Sequence, residues 1–412
     1  MTKISRRSLL AASAAGGLAT AIPTVQFANA AQAAPASAPA AGGRVQNYVE
    51  LGKTGLKISD VSFGSSRLRE GEERLVHHAL ERGVNYIDTA ESYGRSVSET
   101  VIGRALKGIR NEVYLATKMH VSADTRASEM MSSLDASLKR LQTDHVEIFL
   151  NHAVNDINRL QNPEWPEFVD RARQQGKFQF TGMSGHAGQL VETLDYAIEQ
   201  DMFDMVLVAH NFGQDPAFYE RFIKRFDFVA PQPDLPRALR AAKKKNWGVI
   251  AMKVLRGAKL NDMRPFESGG ATYAQAAFRW TLSTDFVDAA IISMTSAEQI
   301  DEYLGGSGGL AAGEEDMALL TQYARLTDLS YCRHACNDCA GACPYQVQIA
   351  DVLRTRMYAT DYGDLPFAKA EYAGIENSAA ACLSCDGQPC QDACTHGLSI
   401  AKLCGPSHEM LA

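Results

Sequence analysis

Gly83-Val84-Asn85-Tyr86-Ile87-Asp88-Thr89-Ala90-Glu91-Ser92-Tyr93-Gly94 is the stretch that decides how this chain is read. Asn85 to Thr89 is a short β-rich run, of a length for one buried strand. Asp88 closes it, and the residues beyond read as a loop presenting Tyr93. An acid and a tyrosine in one loop carry no information alone, so the surroundings must supply it. Outward from this stretch, β-rich runs recur at 61–64, 113–118, 146–152, 178–184, 205–211, 249–254 and 289–294. Most gaps hold segments with helical apolar spacing, such as 72–82, 126–141 and 189–199. Eight strands alternating with helices over 46–325 predict an α/β fold, a closed (β/α)8 TIM barrel. An open doubly wound sheet is the alternative. It is disfavoured because no G-x-G-x-x-G follows the first strand.

Barrel enzymes carry their chemistry where strands end and βα loops begin. Asp88 closes the second run, Lys118 the third and His152 the fourth, while Tyr93 lies in the loop after the second. A strand-end Lys is usually solvated and a strand-end His is usually a satisfied hydrogen bonder. Four such groups on three consecutive strand ends point to joint catalysis.

The pattern G-x-N-x-I-D-T-A-x-x-Y-G resembles the signature of the aldo-keto reductase family. Ser98-Glu99-x-x-Ile102-Gly103 and Thr181-Gly182-Met183-Ser184-Gly185-His186 resemble later family segments. Ile250-Ala251-Met252-Lys253 resembles strand seven of the ferredoxin-fused branch, and Ile292-Ser293-Met294-Thr295-Ser296-Ala297-Glu298-Gln299 the strand-eight cofactor-phosphate segment. The resemblance implies a catalytic set of Tyr93, Lys118, Asp88 and His152. Tyr93 would give a proton to a carbonyl oxygen that accepts hydride. A free phenol has a pKa near about 10, so Lys118 would lower it and Asp88 would hold Lys118 in place. His152 would orient the substrate oxygen. Ser184, Ser293, Ser296 and Gln299 would hold NADP(H) or NAD(H). The sequence departs from the family where Thr295 replaces an arginine for the 2′-phosphate and Met252 a tyrosine stacked on the nicotinamide.

All nine cysteines lie beyond residue 331, which marks a separate module over 326–412. They form two near-repeats, Cys332-x3-Cys336-x2-Cys339-x3-Cys343-Pro344 and Cys382-x2-Cys385-x4-Cys390-x3-Cys394, with Cys404 left over. Both resemble the C-x2-C-x2-C-x3-C-P run of two-cluster ferredoxins, in which the fourth cysteine serves the other cluster. That resemblance implies two [4Fe–4S] clusters, one on Cys332, Cys336, Cys339 and Cys394, the other on Cys343, Cys382, Cys385 and Cys390. A helical-looking stretch at 347–358 suits the small helical ferredoxin-like domain fused behind some family members. Zinc clips and disulfides are the competing readings of the same cysteines.

Residues 1–33 read as an export signal: Ser5-Arg6-Arg7-Ser8-Leu9-Leu10 resembles a twin-arginine (Tat) motif ahead of a mild apolar run and an Ala-x-Ala site. Leu9 and Ala11 stand where the consensus has Phe and Lys. An ordinary secretory signal with a chance arginine pair is the alternative. Residues 34–45 read as an Ala/Pro/Gly linker. No integral span is expected apart from a possibly retained signal, and the net charge of −7 gives no general affinity for nucleic acid. The expected protein is periplasmic. It interconverts a small-molecule carbonyl and alcohol, and exchanges electrons through its clusters with a redox partner protein. The alternative is an electron-transfer protein whose barrel binds a ligand without catalysis. The segment 214–237 would shape the substrate pocket or merely connect elements.

Overall fold

Short apolar runs with no room for a helix pair edge to edge, and here eight of them close on themselves. The computed structural model describes residues 43–412 apart from 155, 187–188, 215–233, 256–262, 269, 271, 327–331, 333–335, 337 and 361–363. The export signal, most of the linker and nearly all of the 214–237 segment lie outside the described residues. The strands are β1 (Tyr48–Glu50), β2 (Lys57–Ser59), β3 (Val61–Gly64), β4 (Tyr86–Asp88), β5 (Tyr114–Met119), β6 (Val146–Asn151), β7 (Phe178–Gly185), β8 (Met205–Ala209), β9 (Gly248–Met252) and β10 (Ala289–Ser293). Strands β3 to β10 pair in parallel, in chain order, and β10 returns to β3, so the barrel expected from sequence is present.

Alternation along each strand builds two apolar layers. Tyr86, Ala116, Ile148, Leu150, Leu207 and Ile250 fall in the inner cluster. Their neighbours Ile87, Leu115, Phe149, Val206 and Val249 join the outer cluster, packed beneath the helices. Phe149 sits 5.4 Å from both Phe168 and Phe178, ring centroid to ring centroid. Truncating such a ring to alanine costs about 3–5 kcal/mol.

The β1–β2 hairpin was not among the expected strands. Its two three-residue strands are too short for a periodic signal. It adds Leu51, Leu56 and Ile58 to the inner cluster. Gly52, at φ 49°, lies against the chain entering β9, where a Cβ would come within 2.3 Å of the Gly248 nitrogen. The hairpin therefore closes the barrel at the strands' starting ends and leaves the opposite end for chemistry. Val45 N donates to the Arg82 carbonyl at 2.9 Å, so the chain is tied to the barrel just ahead of this plug.

Barrel and cysteine module fall in one compact unit, Ala40–Ala412. The module is helical, as expected: α-helices run over Ile349–Thr360, Leu365–Tyr372 and Ile400–Leu411. Val352, Leu353, Ala368, Tyr372, Ile400 and Leu411 make its own small core. No described helix is long and apolar enough to cross a membrane.

Candidate active site

Because side chains alternate, Tyr86 and Asp88 share one face of β4, and Ala116 and Lys118 share one face of β5. With Tyr86 and Ala116 inside the barrel, Asp88 and Lys118 are inside too, at its upper end. Register places Asp88 beside Ala116 and Lys118 beside Leu150. Both charged residues are 1% exposed. Lys118 Nζ donates to Asp88 Oδ1 at 2.7 Å and to the Thr89 carbonyl at 2.6 Å, and lies 3.3 Å from the Tyr93 hydroxyl oxygen. An ammonium has three N–H donors, so all three are accounted for. The phenol oxygen accepts from lysine, which leaves its own O–H free to point elsewhere.

The electrostatics correct one expectation. Burial raises the Tyr93 phenol above its ordinary value, and the Lys118 charge only partly opposes this. The phenol is therefore protonated at neutral pH, not made acidic. Burial also pulls at Lys118, but the attraction of Asp88 and Tyr93 outweighs it and raises the ammonium. Asp88 Oδ2 has no hydrogen-bond partner among the described residues.

His152 lies one residue beyond β6 rather than closing it. Its ring meets the Tyr93 ring edge-on, centroids 5.7 Å apart. Burial, then the charge of Lys118 and the neighbouring His120, Arg159 and Lys253, pull it down to about 3. His152 is thus a neutral imidazole, suited to orienting an oxygen by hydrogen bonding.

A residue that sequence reasoning missed holds this corner. Arg159 donates to the carbonyls of Val121 (2.7 Å), Ala153 (2.5 Å) and His152 (2.8 Å) and to Asn151 Oδ1 (2.9 Å). It bridges the loop after β5, which carries Lys118, to the loop that carries His152. Ala153 is held at φ 52°, a left-handed conformation uncommon for a residue with a Cβ. An arginine eight residues past a strand end has no sequence signature. Lys253 was quoted in the strand-seven segment but given no role. It follows β9 at φ 60°, and burial with Arg354 beside it pulls its ammonium down to about 7.

The four residues expected to hold a nicotinamide cofactor fall in two places. Ser184 Oγ, on β7, accepts from Ala153 N at 2.9 Å, beside His152. Ser293, Ser296 and Gln299 gather at the end of β10. Ser293 bonds Ser66 at 2.5 Å, and Ser296 caps the helix Ala297–Leu304 by accepting from Gln299 N. Gln299 Oε1 accepts from the Thr295 hydroxyl at 2.7 Å.

The cysteines also sort into two places. Cys343, Cys382, Cys385 and Cys390 line one recess with Pro344 and Pro389. Cys336 and Cys339 lie near Cys394 instead. Cys332 packs against the module core, and Cys404 is fully buried within it. None of the nine is in a disulfide. Burial, together with neighbouring thiols, pushes Cys339 up to about 11 and raises Cys382 and Cys390.

Eight parallel strands around a buried lysine–carboxylate pair, with a tyrosine and a histidine at the rim, define an oxidoreductase barrel. A profile of the aldo/keto reductase family matches residues 61–265. An uncharacterized oxidoreductase of Bacillus subtilis (strain 168), YrpG, is 30% identical over 254 residues, 56% of this chain and 73% of that one. The L-galactose dehydrogenase of Arabidopsis thaliana is 24% identical over 273 residues, 61% of this chain and 85% of that one. The solved aldo-keto reductase from Klebsiella pneumoniae in complex with NADPH shares the fold. Its TM-score is 0.52 at 20% identity, over 68% of this chain and 95% of that one. The chain belongs to the aldo/keto reductase family and is an oxidoreductase.

Proposed function

We propose that this chain interconverts a small-molecule carbonyl and its alcohol, with Tyr93 as the proton donor and acceptor. The observation that carries this is Lys118, whose donors engage Asp88, Thr89 and the Tyr93 oxygen and so leave the phenol proton for the substrate. In the reducing direction Tyr93 protonates the carbonyl oxygen as negative charge develops there. Lys118 stabilises the resulting phenolate, and Asp88 keeps the ammonium in place. His152, neutral, hydrogen-bonds the same oxygen and fixes its approach to Tyr93.

The residues near the barrel rim fit a nicotinamide dinucleotide. Ser184 would hold its carboxamide. Ser293, Ser296 and Gln299, at the start of the helix Ala297–Leu304, would hold its phosphates, as a helix N-terminus suits an anion. Bound there, the nicotinamide supplies or takes the hydride. Thr295, bonded to Gln299, brings no cation for a 2′-phosphate, which favours NAD(H) over NADP(H).

The module, over 326–412, is proposed as a ferredoxin-type domain with two [4Fe–4S] clusters. The recess bounded by Cys343, Cys382, Cys385 and Cys390 supports the second, and the nearness of Cys336 and Cys339 to Cys394 supports the first, with Cys332 as its remaining ligand. When bound, such clusters pass single electrons, here to a redox partner protein. Residues 1–33 are proposed as a twin-arginine signal that sends the protein, folded and loaded, to the periplasm, followed by a linker over 34–45 and the barrel over 46–325.

A second reading has one observation behind it. Ligand atoms of Cys336, Asp338 and His396 lie within 4.8 Å of one another, a donor set that suits a single zinc ion. Anaerobic purification with iron, sulfide and zinc analysis separates the two. Iron and sulfide at about eight each per chain support the clusters; zinc without sulfide overturns them. Oxidation of NADH or NADPH by aldehydes tests the carbonyl chemistry, and no turnover with either would overturn it.

A further inference from the structure

The chain leaving β3 makes three attachments with three consecutive residues. Ser65 holds the strand that carries Asp88. Its amide donates to the Asp88 carbonyl at 3.1 Å, and its hydroxyl donates to the same oxygen at 2.7 Å. Ser66 lies 2.5 Å, oxygen to oxygen, from Ser293 at the end of β10. Arg67 reaches out of the barrel. It donates to Asp364 Oδ2 of the module at 2.7 Å, and Arg69 bonds the same oxygen. Leu68, between the two arginines, turns back, and its amide donates to the Ser65 carbonyl at 3.0 Å. The Leu68 carbonyl oxygen is 3.7 Å from where a Cβ on Gly94 would sit, beside Tyr93.

Asp364 is 7% exposed and divides its oxygens between two tasks. Oδ1 accepts from the Phe367 amide at 3.3 Å and caps the helix Leu365–Tyr372, while Oδ2 takes both guanidinium groups. Its amide donates to the Tyr358 carbonyl at 2.8 Å, which ties it to the helix Ile349–Thr360 as well. The Arg67 guanidinium lies 5.5 Å from the Phe367 ring, and that ring meets Tyr358 edge-on at 4.8 Å. Burial raises the Asp364 carboxyl. Hydrogen bonds from Arg67 and the Phe367 amide, with the charge of both arginines, outweigh burial and hold it below the usual carboxylate range. Charge-assisted bonds to a buried carboxylate fix geometry far better than an exposed surface pair does. Consecutive residues are only about 3.8 Å apart along the chain, so a shift at Arg67 is felt at Ser66 and Ser65.

We propose that Asp364 is a positioning residue of the barrel's active site. By holding Arg67 it fixes the 65–68 segment, and through it Asp88 and Ser293, so the module completes a site to which it gives no reacting group. The effect on turnover rests on the carbonyl reading above; the effect on the segment does not.

The test measures amide exchange and aldehyde reduction on the full-length protein, side by side. Asp364→Ser keeps a hydroxyl that can cap the helix but loses the charge and the reach to Arg67. It should speed exchange at the Ser65 and Leu68 amides about tenfold and lower kcat about tenfold. Asp364→Glu, which keeps the charge, should recover most of both. Arg67→Met breaks the same contact from the barrel side and should have similar effects. The double variant Arg67→Met with Asp364→Ser should fall no lower than the worse single one, because both act through one contact. A merely structural contact gives another pattern: faster exchange in the helix Leu365–Tyr372, with the Ser65 amide and kcat within about twofold of wild type. That pattern overturns the proposal, and so does a double variant whose losses multiply. If wild type turns over no aldehyde, the carbonyl reading fails, and exchange at the Ser65 amide still decides whether Asp364 fixes the segment.

Discussion

At the barrel mouth, Lys118 has a protein acceptor for each of its donors. In the module, four cysteines surround one recess and none of them is in a disulfide. The first site is finished by the fold, because adjacent strands of a closed barrel fix where Asp88 and Lys118 meet. The second is shaped by short helices around a core of few apolar residues, and metal is proposed to complete it. Small cores seldom hold a fold unaided, so metal binding and module stability should be coupled. A site can thus be preorganised by hydrogen bonds, as at the barrel mouth, or by a bound metal, as proposed for the module.

The comparison breaks most visibly at Lys118. Lys118→Met should lower kcat for aldehyde reduction about 100-fold or more. It also leaves Asp88 buried without its cation, at a cost of about 3–5 kcal/mol, read as a lower urea midpoint. A variant with wild-type midpoint and turnover would show that the pair is not the organising feature. On the proposed cluster reading, removing iron with a chelator under anaerobic conditions should act mainly on the other side. Amide exchange in the helices Ile349–Thr360 and Leu365–Tyr372 should accelerate, while strands β3 to β10 keep their protection. Equal protection before and after would mean the module holds itself together.

Arg159 sharpens the comparison, since it positions without touching substrate. Arg159→Lys loses the fork that joins three carbonyls and Asn151, and kcat should fall about tenfold with KM nearly unchanged. An equal loss of global stability and of cofactor affinity would mark it as merely structural. The smallest effect is on pH. His152 is held near 3 in the folded protein against an ordinary 6.5, so the unfolded chain binds the extra proton between those values. Its contribution to stability is full above about pH 6.5 and is lost as pH falls toward 3. His152→Gln should flatten the stability profile in that window and leave it unchanged above.

The barrel was legible because its strands are continuous apolar runs whose ends carry Asp88, Lys118 and the loop of Tyr93. Two kinds of feature were not. The β1–β2 plug has strands too short to show a period, and contacts such as Arg159 to Val121 or Arg67 to Asp364 join residues far apart in sequence. The direction of the Tyr93 shift was misjudged for a third reason. A neighbouring ammonium can be inferred from sequence, whereas the depth of burial that outweighs it cannot.

The central claim is that the Tyr93 hydroxyl delivers the proton, and Tyr93→Phe tests it most directly, since the ring is kept and only the oxygen is lost. With aldehyde turnover and cofactor binding measured on the same preparation, the account predicts kcat lower by at least about 100-fold with cofactor affinity intact. Turnover equal to that of the unaltered enzyme would contradict it.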